Sequence, residues 1–432
     1  MHLIWYVTCF LIGCIPVTWC VNVTSNGQPR VMLIRVVPNT TQQLEFLKTF
    51  KQQKHGLRLQ LWRHPDVIER HVDIWLSGSS YDAFEKVCIK KKINFEIVHN
   101  NIYNEIKKEN ISMKNIEDFE DYYQRFEEIE GEIKRLSIVF NTSTTLEIIG
   151  KSYEGRNIYS LKIHKNASDE KPIIFINCGS HSREWLGIAA CQYTMRRILF
   201  DQQYDDYIAA MLKDFDVVIV PVLNPDGYVF SHRDRYRLWR KSRSPTPESH
   251  CFGVDINRNF DYRWGGGGSS RDPCDEIYCG TRPFSENESL ALARYLYKHR
   301  RKLKAFMDVH TYGQMWMSPW GYTKMLPRHY VEQRRAMRAI QQAIEKAGKV
   351  RYRIGTSSTT LYHTSGDALD WVYGRLGILY TFAIELRPSL RARRGFRHTR
   401  LAIAPTGKDL FSGLTTLASV IVSKNNARKK HY

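Results

Sequence analysis

The chain has 432 residues, 43% hydrophobic and 12% aromatic, with a formal net charge of +20. That apolar content excludes a disordered chain, and the length predicts roughly two or three domains instead of one. The positive balance calls for either an anionic partner or a broad solvated basic surface.

Leu3–Val17 is apolar, short and broken by Gly13 and Pro16. It has the length of a signal-peptide core and falls short of the ~20 residues that a bilayer span needs. Residues 1–20 therefore read as a removable leader and the protein as secreted, with no later apolar run able to cross a membrane. The N-x-S/T triplets at Asn22, Asn39, Asn110, Asn141, Asn166 and Asn287 agree with that compartment. Cys9, Cys14 and Cys20 fall in or beside the leader. The remaining Cys88, Cys178, Cys191, Cys251, Cys274 and Cys279 form no CxxC pair, which predicts one or two stapling disulfides and no zinc knuckle.

Within a domain expected over 21–99, residues 31–99 read as a small α+β unit. Val31–Val37 is β-branched and apolar, Gln42–Gln53 has helical spacing, and Leu57–Trp62 and Val72–Leu76 alternate. Tyr81–Lys91 has helical spacing and Ile93–Val98 alternates, completing the β-α-β-β-α-β order of a ferredoxin-like open sandwich. Residues 100–118 form a connector with exposed basic sites such as Lys107, Lys108 and Lys114.

From 119 to 423 apolar strands alternate with longer helices. The strands are Ile173–Asn177, Val217–Val222, Ala305–Val309 and Ile378–Ile384; the helices are Gly187–Leu199, Ser285–Arg300, Arg328–Ala347 and Asp409–Ser423. This predicts an α/β domain, a mixed, mostly parallel sheet with helices on both faces. Gly265–Gly268 reads as a flexible surface loop. Residues 424–432 form a basic tail. From Arg387 to the end, eleven Lys or Arg face one acid, Asp409. In a secreted monomer this stretch points to a sulfated polysaccharide before nucleic acid or membrane.

Polar residues gather where the expected strands end: His181, Ser182, Arg183 and Glu184 after the first, Asn224 after the second, His310 after the third, Glu385 after the fourth. His181-x-x-Glu184 offers two metal ligands, and two imidazoles with one carboxylate leave Zn2+ an open position for water. The spacing alone is weak. His329-x-x-Glu332 has it too, inside a long polar helix with no strand before it, and neither HExxH nor HxxEH occurs.

The segments 181–185 (HSREW), 224–227 (NPDG), 238–241 (LWRK), 255–260 (DINRNF) and 384–387 (IELR) together resemble, in order, the pancreatic-type metallocarboxypeptidases. The resemblance covers about residues 120–420, and the N-terminal unit looks like that family's activation domain. It implies a zymogen released by a trypsin-like protease in the connector, acting on peptide or protein C-termini with one Zn2+. His181, Glu184 and His310 are then the zinc ligands, Asp255 orients the first histidine, Glu385 is the general base, and Arg240 stabilises the oxyanion. Asn257 and Arg258 match the clamp for the terminal carboxylate and Tyr362 the tyrosine that closes over substrate. Arg183 and Tyr312 match more distal subsites. Leu369, with Gly321 and Ala368 at small positions, matches the base of the specificity pocket and implies apolar or aromatic terminal residues. The pairs Cys178–Cys191 and Cys251–Cys274 match family disulfides, whereas Cys279 loses its usual partner where Gly265 stands.

Two departures leave alternatives open. Asp367 replaces a usual glycine near the pocket and can accept a cation if it turns inward. The segment Pro388–His398 is longer and more basic than usual and can favour acidic terminal residues. The other readings are a catalytically dead binding relative, which would ordinarily lack Glu385 or a ligand, and a matrix binder in which catalysis is incidental.

Overall fold

The β-branched run at the start of the first unit forms β1 (Val31–Val36), followed by α1 (Thr41–Lys48), β2 (Leu59–Leu61), β3 (Val72–Ser77), α2 (Tyr81–Lys90) and β4 (Phe95–His99). This computed structural model describes residues 30–52, 56–57, 59–61, 65, 67–102, 122–166, 170–233, 235–247, 249–392 and 395–429. The expected leader, the triplets at Asn22 and Asn110, the connector lysines and the last residues of the tail lie outside the described residues. Contacts along the chain separate residues 1–103 from 104–432.

In the first unit the strands lie in the order β2-β3-β1-β4 with every pairing antiparallel, as expected of the open sandwich. Thr40 caps α1 by accepting from the Gln43 amide. Met32, Ile34 and Val36 share a core with Leu47, Phe84 and Cys88. Cys88 is a packing residue: burial first, then the Glu85 charge, pushes its thiol up to about 12, far from the reactive thiolate range.

The second unit runs α3 (Phe126–Val139), β5 (Thr144–Lys151), β6 (Asn157–Ile163), β7 (Ile173–Cys178), α4 (Trp185–Asp201), α5 (Asp206–Asp214), β8 (Asp216–Val220) and α6 (Pro225–Ser231). Then come α7 (Asn287–His299), β9 (Leu303–Gly313), β10 (Met315–Ser318), α8 (Tyr330–Gly348) and β11 (Arg353–Thr356). It ends with α9 (Ser357–Thr360), α10 (Ala368–Leu376), β12 (Tyr380–Ser389) and α11 (Ile403–Lys429). The eight-stranded sheet has the order β11-β10-β12-β9-β7-β8-β6-β5. Its centre, β12-β9-β7-β8, is parallel, and antiparallel pairings join it to the flanks.

Side-chain alternation assigns the two faces. Ile174 and Ile176 of β7 pack with Leu186 and Ile198 of α4 and Leu410 and Leu414 of α11. Ile173 and Phe175 face the other way, onto Leu292 and Leu296 of α7 and Val372 of α10. Both faces are covered, so the central strands are apolar throughout.

Four expectations need correcting. His310 and Glu385 do not end their strands: β9 runs on to Gly313 and β12 to Ser389, because the polar residues face the site while the backbone ladder continues. The last helix starts at Ile403, not Asp409, since Pro405 sits in its first turn, where no intrahelical N–H is required. Gly265–Gly268 lies at the surface, with Gly266 and Gly267 exposed, but it is anchored. The Gly268 carbonyl accepts from Arg258 Nε, and a Cβ there would meet the His363 carbonyl at 1.9 Å. Finally, the basic stretch does not form one exposed face among its described residues. Arg387 pairs with Asp409 (2.6 Å), Lys424 pairs with Glu332, and Arg397 is buried.

Candidate metal centre and active site

β7 delivers the chain into the turn that carries His181 and Glu184, and α4 starts immediately afterwards at Trp185. That indole is held between the Arg237 guanidinium (3.6 Å) and a stacked His232 ring (4.0 Å), while Arg237 donates to the Arg183 carbonyl at 2.8 Å. Burial first, then Arg237, pushes His232 down to about 3, so it packs as a neutral ring. The turn bearing His181 and Glu184 is thereby fixed on both sides.

Parallel pairing of β12 with β9 sets Glu385 directly opposite His310. Glu184 bridges the two histidines, 2.7 Å from His181 Nδ1 and 3.0 Å from His310 Nδ1. The three buried groups have ligand atoms within 4.8 Å of one another. Despite desolvation, which acts the other way, the His181 and His310 charges hold the Glu184 carboxyl far below its usual range. A second grouping, His250 with Cys251 and Cys274, is excluded as a metal site because its cysteines are joined in a disulfide.

Each histidine is oriented through its other nitrogen. His181 Nε2 lies 3.1 Å from Asp255 and His310 Nε2 lies 3.0 Å from Asp308. Asp308 also accepts from Asn177 (2.8 Å) and Asn257 (3.1 Å). Two imidazole Nδ1 atoms and a carboxylate, with carboxylates behind both rings, fit Zn2+ with a position left for water. Asp308 was missed from sequence. The available signal is its place two residues before His310 on one strand, which puts both on the same face.

Arg240 donates twice to Asp255, at 2.7 and 3.0 Å, so one carboxylate orients both a histidine and a guanidinium. Arg258 donates to the Gly268 and Asn257 carbonyls at 2.8 and 2.7 Å. Asn257 accepts from the Ala368 amide, tying this segment to the first turn of α10. Arg183 pairs with Glu276 at 3.0 Å and lies over the Phe396 ring at 4.4 Å, and Tyr312 meets that ring edge-on at 5.0 Å. Phe396, the buried anchor of the basic segment, and Glu276 are both absent from the sequence-derived set. Tyr362 is within electrostatic range of Arg183 and Arg240.

Glu385 Oε2 is buried with no hydrogen-bond partner. Burial first, then the Glu184 charge, pushes this carboxyl up to about 8. A bound cation acts in the opposite sense. Leu369 is buried in the first turn of α10. Asp367 caps that helix: one oxygen accepts from the Asp370 amide at 2.8 Å and the other from the Thr364 hydroxyl. Cys178–Cys191 and Cys251–Cys274 are bonded, and Cys279 is free and buried, as the resemblance implies.

Residues 129–413 match the family of zinc carboxypeptidases and residues 34–109 the carboxypeptidase activation peptide. Carboxypeptidase A4 of Mus musculus is 33% identical, over 84% of this chain and 86% of its own. Carboxypeptidase B of Rattus norvegicus is also 33% identical, over 77% and 82%. Among solved structures, thrombin activatable fibrinolysis inhibitor superposes with a TM-score of 0.83 at 28% identity, covering 92% of this chain and all of that one. The carboxypeptidase A of Helicoverpa armigera gives 0.79 at 25%, covering 90% and 98%.

Proposed function

The chain belongs to the zinc carboxypeptidase family, and from that premise we propose that His181, Glu184 and His310 hold the Zn2+ and that Glu385 is the general base. The observation that carries this reading is the convergence of the three ligand atoms with Glu385 paired across the sheet from His310. Zn2+, when bound, polarises the scissile carbonyl and lowers the pKa of a water toward ~7. Glu385, with a bare buried oxygen, takes a proton from that water and returns it to the leaving amine. Arg240, immobilised by Asp255, meets the developing oxyanion. Arg258 with Asn257 binds the terminal carboxylate of the peptide, for which a planar guanidinium is suited. Tyr362 closes over it, and Arg183 and Tyr312 contact residues further upstream.

Carboxypeptidase A4 and carboxypeptidase B are each 33% identical to this chain, so identity alone does not decide preference and the pocket is used instead. Leu369 offers a cationic side chain no partner, and burying an unpaired ammonium costs several kcal/mol. Asp367 is committed to capping α10, which supports an apolar or aromatic terminal residue over Lys or Arg. The test is a set of peptides differing only in the last residue. Higher kcat/KM for Phe or Leu than for Arg and Glu is expected. A preference for Arg would assign the pocket to Asp367, and one for Glu would assign it to the basic segment at 388–398.

The activation-peptide match supports synthesis as a zymogen, cleaved in the lysine-bearing connector by a trypsin-like protease. Two disulfides and the apolar start support secretion. Among the described residues no helix is long and apolar enough to cross a membrane.

A further inference from the structure

The catalytic reading uses one end of the parallel strands and leaves the other end unexplained. There the helix-to-strand junction from Tyr297 to Lys304 reads YKHRRKLK, and basic residues from neighbouring strands join it. Leu303 pairs with Ile173 and Ile173 with Asp216, while Ile163 pairs with Val217. These registers bring Lys302, Lys171 and Lys162 to one edge of β9, β7, β8 and β6, across about 14 Å at ~4.8 Å per strand.

The acids at this edge do not neutralise it. Lys162 (3.7 Å) is set against the buried Asp216, Lys302 (2.7 Å) against Glu170, and Glu147 accepts from the Tyr295 hydroxyl. Asp214 is exposed at the end of α5 beside Lys213. Arg294, Lys298, Arg301 and Lys304 are exposed and have no acidic partner among the described residues. Arg294 and Lys298 stand one helical turn apart on α7 and so project from one face. The field is felt locally: after burial, the charges of Lys298, Lys302 and Lys162 lower His299, with Glu147 opposing.

We propose that this basic edge, centred on Lys298, Arg301 and Lys304, is a docking surface for a sulfated polysaccharide. Unpaired, solvated cations spread along an edge gain most from a polymer with closely repeated anions, through counterion release. The disulfides support an oxidising compartment, and outside the cell sulfated polysaccharides and not nucleic acids are the abundant polyanions. His310 lies seven residues further along β9 than Leu303, about 23 Å at ~3.3 Å per residue, so a chain bound here leaves the cleft open. This surface replaces the C-terminal basic stretch expected from sequence, whose described cations are partly paired or buried.

The test is the full-length protein on immobilised heparin, and the affinity for a heparin octasaccharide in 0.15 M salt (an order-of-magnitude physiological value). A triple variant, Lys298→Ala, Arg301→Ala and Lys304→Ala, should elute at clearly lower salt and bind the octasaccharide at least ~10-fold more weakly. An Arg391→Ala, Arg400→Ala variant should match the parent. Circular dichroism verifies that both remain folded. Unchanged retention of the triple variant, or loss confined to the Arg391/Arg400 variant, overturns the proposal. Equal or tighter binding of duplex DNA or of phosphatidylserine vesicles through the same three residues overturns the polysaccharide assignment. No substrate is used, so the result stands apart from the catalytic reading.

Discussion

The two ends of the central strands carry charge in opposite ways. At one end His181, Glu184, His310, Asp255, Asp308 and Arg240 are buried and joined by hydrogen bonds of 2.7–3.1 Å. At the other, Arg294, Lys298, Arg301 and Lys304 are exposed and form no ion pair with an acid among the described residues. Buried charge is tolerable only when paired, and pairing makes it precise enough for bond-breaking. Solvated charge is imprecise, but it attracts at a distance and weakens with salt. A single strand, β9, links the two, with Lys304 near its start and His310 near its end.

The largest effect should come from the paired end. Glu385→Gln removes the proton acceptor while leaving the proposed ligands, and kcat should fall by roughly 10²- to 10⁴-fold with zinc content unchanged. Near-normal turnover of that variant would remove Glu385 from its role. Asp308→Ala tests whether the carboxylate behind His310 matters: zinc affinity, measured by competition with a chelator, should weaken by ~10–100-fold. No change would mean that the Asn177, Asn257 and Asp308 network only packs.

Leu369→Asp introduces the missing pocket charge, and the ratio of kcat/KM for C-terminal Phe over Arg should drop at least ~10-fold, or ~1.4 kcal/mol. An unchanged ratio would place the determinant elsewhere, with Asp367 first in line.

The smallest effect comes from Glu288, which is buried without the pairing found at the cleft. Its Oε1 accepts from the Tyr153 amide at 3.2 Å, and its Oε2 has no partner. Burial first, then Glu286, pushes it up to about 8 from an ordinary 4.5. Between those values the folded protein keeps a proton that the unfolded chain has lost, so stability falls as pH rises from about 4.5 to about 8. Glu288→Gln should flatten that slope, read as urea midpoints at several pH values; an identical slope would show that Glu288 does not set it.

Legibility followed the same division. The first unit could be read from period-two and helical spacing because its six elements are short and half-buried. In the second unit, the proposed ligands and clamp residues come together in the structure, and both disulfides form as the resemblance implied. Glu276 and Phe396 were not legible, since both act through Arg183, far away in sequence; Asp308 stands two residues before His310, but its partners Asn177 and Asn257 arrive from elsewhere. His310 and Glu385 seemed to close their strands because a polar residue interrupts an apolar run, although the ladder ignores side-chain polarity. The run at 297–304 is contiguous in sequence, but Lys162 and Lys171 join it only through the registers of β6, β7, β8 and β9. The C-terminal run, dense in sequence, is partly paired or buried in space.

The central claim is that His181, Glu184 and His310 together hold one catalytic zinc. Its most direct test is zinc content per chain, by elemental analysis, of the proteolytically activated parent and its His310→Ala variant after dialysis against a weak chelator. Stoichiometric zinc in the active parent, with zinc and activity both lost in the variant, is the expected result. Stoichiometric zinc retained by the His310→Ala variant would contradict the account.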